Sequence, residues 1–219
     1  MNPKRRFFLA GLAAVAFCFG FATSLDWRVM LLLKLLPVLL ALDWLRVAGL
    51  PGRYRFWIAS GLGLSLLGDA LLALPSDQFI AGLVAFLLAH LAYVAGYLTR
   101  SRVVANAWLL VAACAVAGFL YVLDHRGHLG PMRVPVFVYA AVIGMMLWRA
   151  GSLMRVDAAG RWALIGAALF VASDMVLAWN RFVAPDPTLR YINILLYWAG
   201  QWGIAASVVR LRASEATRL

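Results

Sequence analysis

Two acids placed inside apolar runs are the residues most able to do chemistry in this sequence. Asp69 lies in "LSLLGDALLAL" (64–74) and Asp174 in "LFVASDMVLAW" (169–179). A charge at the centre of a membrane-spanning helix costs about 2.5–3.5 kcal/mol on insertion scales, so such residues face the bundle interior and mark functional paths. Two carboxylates sharing a low-dielectric site can divide roles, one as a protonated acid and one as an ionised partner. Lys34 and His90 are further ionisable residues within apolar runs, and Asp43 lies nearer a run's end beside Arg46. A structural ion pair with Lys34 is the plainer reading of either acid, and an interhelical hydrogen bond the plainer reading of His90.

The elements that must hold these residues follow from composition. The chain has 219 residues, 65% hydrophobic and 13% charged, with a mean hydropathy of +0.88. Soluble domains are roughly half apolar and a quarter charged, so the bilayer is the expected solvent. About 20 apolar residues span a bilayer as a helix, and eight segments qualify: 7–23, 29–48, 55–74, 79–99, 104–123, 134–150, 161–181 and 191–210. Short connections such as "PSDQ" (75–78) and "DHRGHLGPMR" (124–133) leave no room for a soluble domain. The expectation is an all-α, polytopic membrane protein: one transmembrane domain of eight helices.

The net charge of +11 does not gather into one patch of the kind nucleic acid requires. With eight spans, fourteen bases fall on the side of both termini, five on the other, and Lys34 within a span. By the positive-inside rule both termini are cytoplasmic. The first segment, "KRRFFLAGLAAVAFCFGFATS" (4–24), has features of a secretory signal, but no convincing small-residue cleavage site follows, so it is read as an uncleaved helix. Cys18 and Cys114 lie in apolar runs without metal-type spacing and read as buried free thiols. No metal cluster, P-loop, nucleophile elbow or dinucleotide motif is visible, so neither metal nor cofactor is expected.

In this topology Asp69 and Asp174 sit roughly 8–10 Å below the outer face at 1.5 Å per residue, and Lys34, Tyr139 and Tyr197 share that level. His90 lies nearer the midplane. Gly61/Ser65/Asp69, Asn193/Tyr197/Gln201 and His90/Tyr93/Tyr97 each recur at one-face helical spacing. Three polar stripes suggest a shared pocket, although the Tyr and Gln positions also suit packing. Gly61, Gly63 and Gly68 read as sites of close helix contact. The acid segments align at an offset of 105, which also sets Lys34 opposite Tyr139, as a repeat of four plus four helices would.

The segments "LLGDALLALPSDQFIAGLVAFLLAHLAYVAGYL" (66–98), "PVFVYAAVIGMM" (135–146), "GAALFVASDMVLAWNRF" (166–182) and "LLYWAGQW" (195–202) occur in an order that resembles the YhhN family, which includes the lysoplasmalogenases. The resemblance runs from about the second helix to the eighth. It implies hydrolysis of the vinyl ether of a lysophospholipid substrate to a fatty aldehyde and a glycerophospho-headgroup. It also implies Asp69, His90, Tyr93, Tyr139, Asp174, Tyr197 and Gln201 as its polar site positions, with Lys34 and Pro37 added. The Ala/Arg-rich text has a bacterial character, so an inner-membrane location among membrane lipids is expected.

Vinyl ether hydrolysis needs a proton on the β-carbon and water on the resulting oxocarbenium ion. Asp69 and Asp174 are the expected catalytic pair, the acid unassigned between them. Tyr139, Tyr197, His90 and Gln201 would position water and the ether oxygen, and Lys34 would meet the lipid phosphate. Alternatives are a proton-coupled transporter and a non-catalytic lysolipid-binding protein. An intramembrane aspartyl protease fits less well, since Leu67-Gly68-Asp69 lacks the Gly-x-Gly-Asp pattern.

Overall fold

In a computed structural model, described here for residues 2–216, the chain forms eight helices: α1 (Pro3–Thr23), α2 (Trp27–Ala48), α3 (Arg53–Ala73), α4 (Phe79–Arg100), α5 (Asn106–Arg126), α6 (Arg133–Met154), α7 (Ala158–Phe182) and α8 (Pro187–Ala216). Arg218, one of the bases counted on the terminal side, lies outside the described residues. All eight expected segments are helical, and most run further than the apolar stretch that revealed them. Hydrogen bonding carries the helix past the apolar residues to a cap: Asn2, Asp26 and Asp157 accept from the N–H groups of Lys4, Arg28 and Gly160, and Pro3 and Pro187 open α1 and α8.

Seven of the helices are long and apolar enough to cross a membrane. The eighth, α2, is long enough, but every 18-residue stretch of it holds three charged residues. All eight expected helices are present, and α2 is the one whose charges set it apart from the other seven. Two of the α2 charges are partnered by neighbouring helices: Arg6 Nε of α1 donates to Asp43 Oδ2 at 2.9 Å, and Lys34 Nζ lies 3.0 Å from Asp69 Oδ1 on α3. Arg6, rather than Arg46 at 3.5 Å, is therefore the closer partner of Asp43. Large apolar residues on the perimeter, including Phe8, Leu32, Phe56, Leu110 and Val134, are exposed, as suits a lipid-facing surface.

Short connections make successive helices antiparallel neighbours. α3 packs on α4 and α7 on α8; α1 flanks α2 and α5 flanks α6. α2 bridges α3 and α8, and α6 bridges α7 and α4. Advancing each helix by four carries each of these packings onto another, so the repeat expected from the 105-residue offset is also a repeat of packing. Small residues set its tightest seams. A Cβ on Gly200 would stand 3.0 Å from the Gly166 carbonyl oxygen, and one on Gly61 would enter the Tyr93 ring. Gly68 likewise abuts Phe86, but Gly63 has nothing within 4 Å and plays no such part.

The end bearing the termini is tied by polar contacts. Arg100 pairs with Asp157, Tyr54 Oη lies 2.6 Å from Ser207 Oγ, and Arg149 donates to the carbonyls of Val103 and Ser101. The cysteines correct the expectation of buried thiols: Cys18 is half-buried and Cys114 exposed.

Candidate active site

Each acid sits on one helix and is bonded from its neighbours, Asp69 from α2 and α8 and Asp174 from α6. On α3, Asp69 is 2% exposed, and it receives Lys34 from α2 and the Tyr197 hydroxyl from α8. Lys34 also donates to the Asp69 carbonyl at 3.3 Å. Local sequence places that lysine. Pro37 lacks the N–H that would bond the Leu33 carbonyl, and in the same turn the Lys34 carbonyl accepts from Trp198 Nε1 at 3.1 Å. The α2 backbone is thereby fastened to α8 beside the ion pair.

Asp174 occupies the matching position on α7. Its Oδ2 accepts from the Tyr139 hydroxyl of α6 at 2.5 Å. Lys34–Asp69 and Tyr139–Asp174 are thus the same contact in the two halves, each partner displaced by 105 residues. Their chemistry differs. Asp69 has an ammonium and a phenol, whereas Asp174 has a phenol and, among the described residues, no cation within ion-pair distance.

Two spaces meet at these acids. A cavity of about 830 Å³ at the α3–α4 and α7–α8 loop end is lined by Lys34, Asp69, Asp174, Tyr197, Ser173, Asn193 and, at its rim, Arg181 and Arg190. An apolar groove runs between α4, α5, α6 and α7, bordered by Leu83, Val116, Phe119, Ala140, Ile143 and Val171, with Tyr139 and Asp174 as its polar members. Leu72, Phe79, Phe86, Asp174 and Leu177 line both. Asp174 therefore stands where an apolar space meets a polar one whose lining includes Arg181 and Arg190. Phe86, Phe170 and Tyr197 meet edge to face, with centroids 5.3–6.2 Å apart, and wall the two acids from the deeper core.

The remaining expected site residues lie behind that wall. Tyr93 donates to Gln201 Oε1 at 2.7 Å and approaches Ser65 Oγ at 3.4 Å; all three are buried and none lines either space. His90 is also fully buried, its ring 5.2 Å from that of Tyr139 and 4.7 Å from that of Phe170, with both nitrogens unpartnered by the described residues. Tyr93, Gln201 and His90 thus line neither space. Lys34, expected at a lipid phosphate, is committed to Asp69. Arg190, Arg181, Ser173 and Phe86 were not singled out from sequence. The i, i+3, i+7 spacing of Arg190, Asn193 and Tyr197 was the signal available for Arg190.

A carboxylic acid between an apolar groove and a polar cavity can protonate an amphiphile at the junction of its chain and headgroup. Comparison with known proteins finds relatives over most of the chain. The chain is 33% identical over 204 residues to lysoplasmalogenase TMEM86A of Bos taurus, covering 87% of this chain and 82% of that protein. It is 35% identical over 188 residues to lysoplasmalogenase TMEM86B of Homo sapiens, covering 85% and 78%. With a lysoplasmalogenase of Mycobacterium bovis it shares 34% identity over 156 residues, 68% of this chain and 57% of that one. No solved structure matches it significantly. The family model for YhhN matches residues 27–208, which include both acids and each of their partners, and the chain belongs to the YhhN family.

Proposed function

We propose that this protein hydrolyses the vinyl ether bond of lysoplasmalogens, with Asp174 as the general acid. The observation that carries the reading is the place of Asp174, at the mouth of the apolar groove and on the wall of the polar cavity. Relatives named lysoplasmalogenase across most of the chain support the substrate class. By the positive-inside rule the cavity opens to the outer face of a bacterial inner membrane, where single-chain lipids can enter from the leaflet.

In this mechanism the alkenyl chain lies in the groove and the glycerophosphate in the cavity. Tyr139 donates to Oδ2 of Asp174, leaving Oδ1 to carry the proton toward the β-carbon of the alkene. Proton transfer makes a new C–H bond, and the alkene electrons leave an oxocarbenium ion. The Asp174 carboxylate so formed and the Asp69 carboxylate face that cation across the cavity, which stabilises the charge as it develops. Water adds to the carbon next to the ether oxygen and returns a proton to Asp174. The hemiacetal then collapses, its hydroxyl proton passing to the departing glycerol oxygen through the cavity. One water is consumed, and aldehyde and glycerophospho-headgroup leave.

Lys34 holds Asp69 in place and compensates its charge, so Asp69 is the electrostatic partner and Asp174 the donor. Aldehyde release by the purified protein, given lysoplasmalogen and the matched acyl lysophospholipid in parallel, tests the reading. Aldehyde from the vinyl ether, lost in Asp174→Asn, supports it; turnover of the acyl lipid alone refutes it.

A further inference from the structure

We infer that Arg190 is the phosphate anchor of the substrate site, so that the protein selects phosphate-bearing alkenyl lipids over neutral alkenylglycerols. The inference rests on the proposed reaction and names the group that recognises the headgroup.

Three bases line the polar cavity, and two have carboxylate partners. Lys34 is paired with Asp69 at 3.0 Å and Arg181 with Asp77 at 3.3 Å. Among the described residues, no carboxylate lies within 4.0 Å of the Arg190 guanidinium. Asp186, one turn earlier in the chain, also lines the cavity, but its Oδ1 accepts from the Thr188 N–H at 2.7 Å and so caps the start of α8. The Arg190 guanidinium instead stands over the Phe21 ring of α1, 5.6 Å from its centroid. That contact leaves the fork of N–H donors for another acceptor. Arg190 also borders a second opening of about 520 Å³, lined by α1, α2, α8 and the ends of α3 and α7, that shares Lys34, Asn180 and Asn193 with the first. It therefore stands where both mouths of the vestibule converge.

Register supports the assignment. Arg190, Asn193 and Tyr197 follow at i, i+3 and i+7 on α8 and line one cavity. Arg190 is thus about 10 Å farther out along the axis than Tyr197, which bonds Asp69. In a lysophospholipid the ether oxygen and phosphorus are joined through five single bonds, about 6 Å when extended. A guanidinium–phosphate contact adds about 4 Å between their centres. That length is of the same order as the backbone rise between Tyr197 and Arg190, and the arginine side chain adds to its reach. A lipid with its vinyl ether at Asp174 thereby offers its phosphate to Arg190.

The test has a binding arm and a turnover arm, both in neutral detergent so that bilayer charge plays no part. A saturated alkyl-ether lysophospholipid and the matched alkylglycerol, neither hydrolysable, are titrated into wild type, Arg190→Gln and Arg190→Lys. Wild type should bind the phospholipid about 10- to 100-fold more tightly than the alkylglycerol, as a charge-assisted contact provides. Arg190→Gln should lose that preference, Arg190→Lys should keep part of it, and alkylglycerol affinity should stay constant as the folding control. In turnover, Arg190→Gln should raise KM for the phosphate-bearing vinyl ether by a similar factor and change kcat less than about twofold. Equal affinities of wild type for the two ligands, or a preference that survives in Arg190→Gln, overturns the inference. If that preference behaves as stated while no lipid yields aldehyde, the anchor stands and the proposed reaction fails.

Discussion

Removing Lys34 offers the sharpest test of the difference between the two acids. In Lys34→Met the Asp69 carboxylate keeps the Tyr197 hydroxyl but loses the one cation that pairs with it among the described residues. Breaking a buried pair by deleting one partner costs about 3–5 kcal/mol, because the other charge stays buried and uncompensated. The Lys34 side chain is 16% exposed, toward the cavity, so water relieves part of this and the lower end, about 3 kcal/mol, is expected. At about 2–4 °C per kcal/mol for a chain of this size, the melting temperature should fall by about 6–12 °C. Asp69→Asn alone leaves the ammonium, which can turn into the cavity, and should cost less. The double variant Lys34→Met/Asp69→Asn removes both charges and should recover most of the loss. Thermal unfolding in one detergent, followed by tryptophan fluorescence, reads all four proteins. If Lys34→Met melts with wild type, or the double variant melts no higher than Lys34→Met, Asp69 is not charge-compensated and the division of roles is wrong.

Other consequences are separable. Asp174→Asn should abolish aldehyde release while its melting temperature stays within a few degrees of wild type, because Tyr139 can still donate to the amide oxygen. Tyr93→Phe leaves Gln201 Oε1 buried without its 2.7 Å donor and should cost about 1–3 kcal/mol of stability, with a smaller effect on KM, since neither residue lines the cavity. His90→Phe should retain more activity than His90→Ala: ring packing on Tyr139 and Phe170 is kept in one and lost in the other, and side-by-side aldehyde assays check the order. Ala140→Trp should fill the groove beside Tyr139 and lower turnover of long-chain substrates by at least about tenfold relative to short-chain ones.

Much of this site could be read from depth and spacing. Lys34, Asp69, Tyr139, Asp174 and Tyr197 were expected in one layer because the charge bias orients the helices and helical rise converts sequence into depth. The structure gathers all five around connected spaces. Partnership was not legible: depth does not say which phenol faces which acid, and that is set by α2 bridging α8 while α6 bridges α4. Gln201 and Tyr93 followed their stripes correctly, but one helical turn is about 5 Å, enough to carry them below the aromatic wall. Lys34 and Asp43 of α2 looked like membrane penalties in one dimension and are ion-paired in three. Arg190 was counted only as a mark of orientation, since a loop-end arginine serves topology and ligand binding with the same residue.

The central claim is that a proton is delivered to carbon, and hydrolysis in deuterated water tests it most directly. Lysoplasmalogen is turned over by the purified protein in D2O, the aldehyde is trapped at once to prevent exchange, and its mass is measured. The account predicts one deuterium on the carbon adjacent to the carbonyl in every aldehyde formed. Aldehyde without deuterium at that carbon contradicts it, because the bond would then have been cleaved without protonation of the alkene.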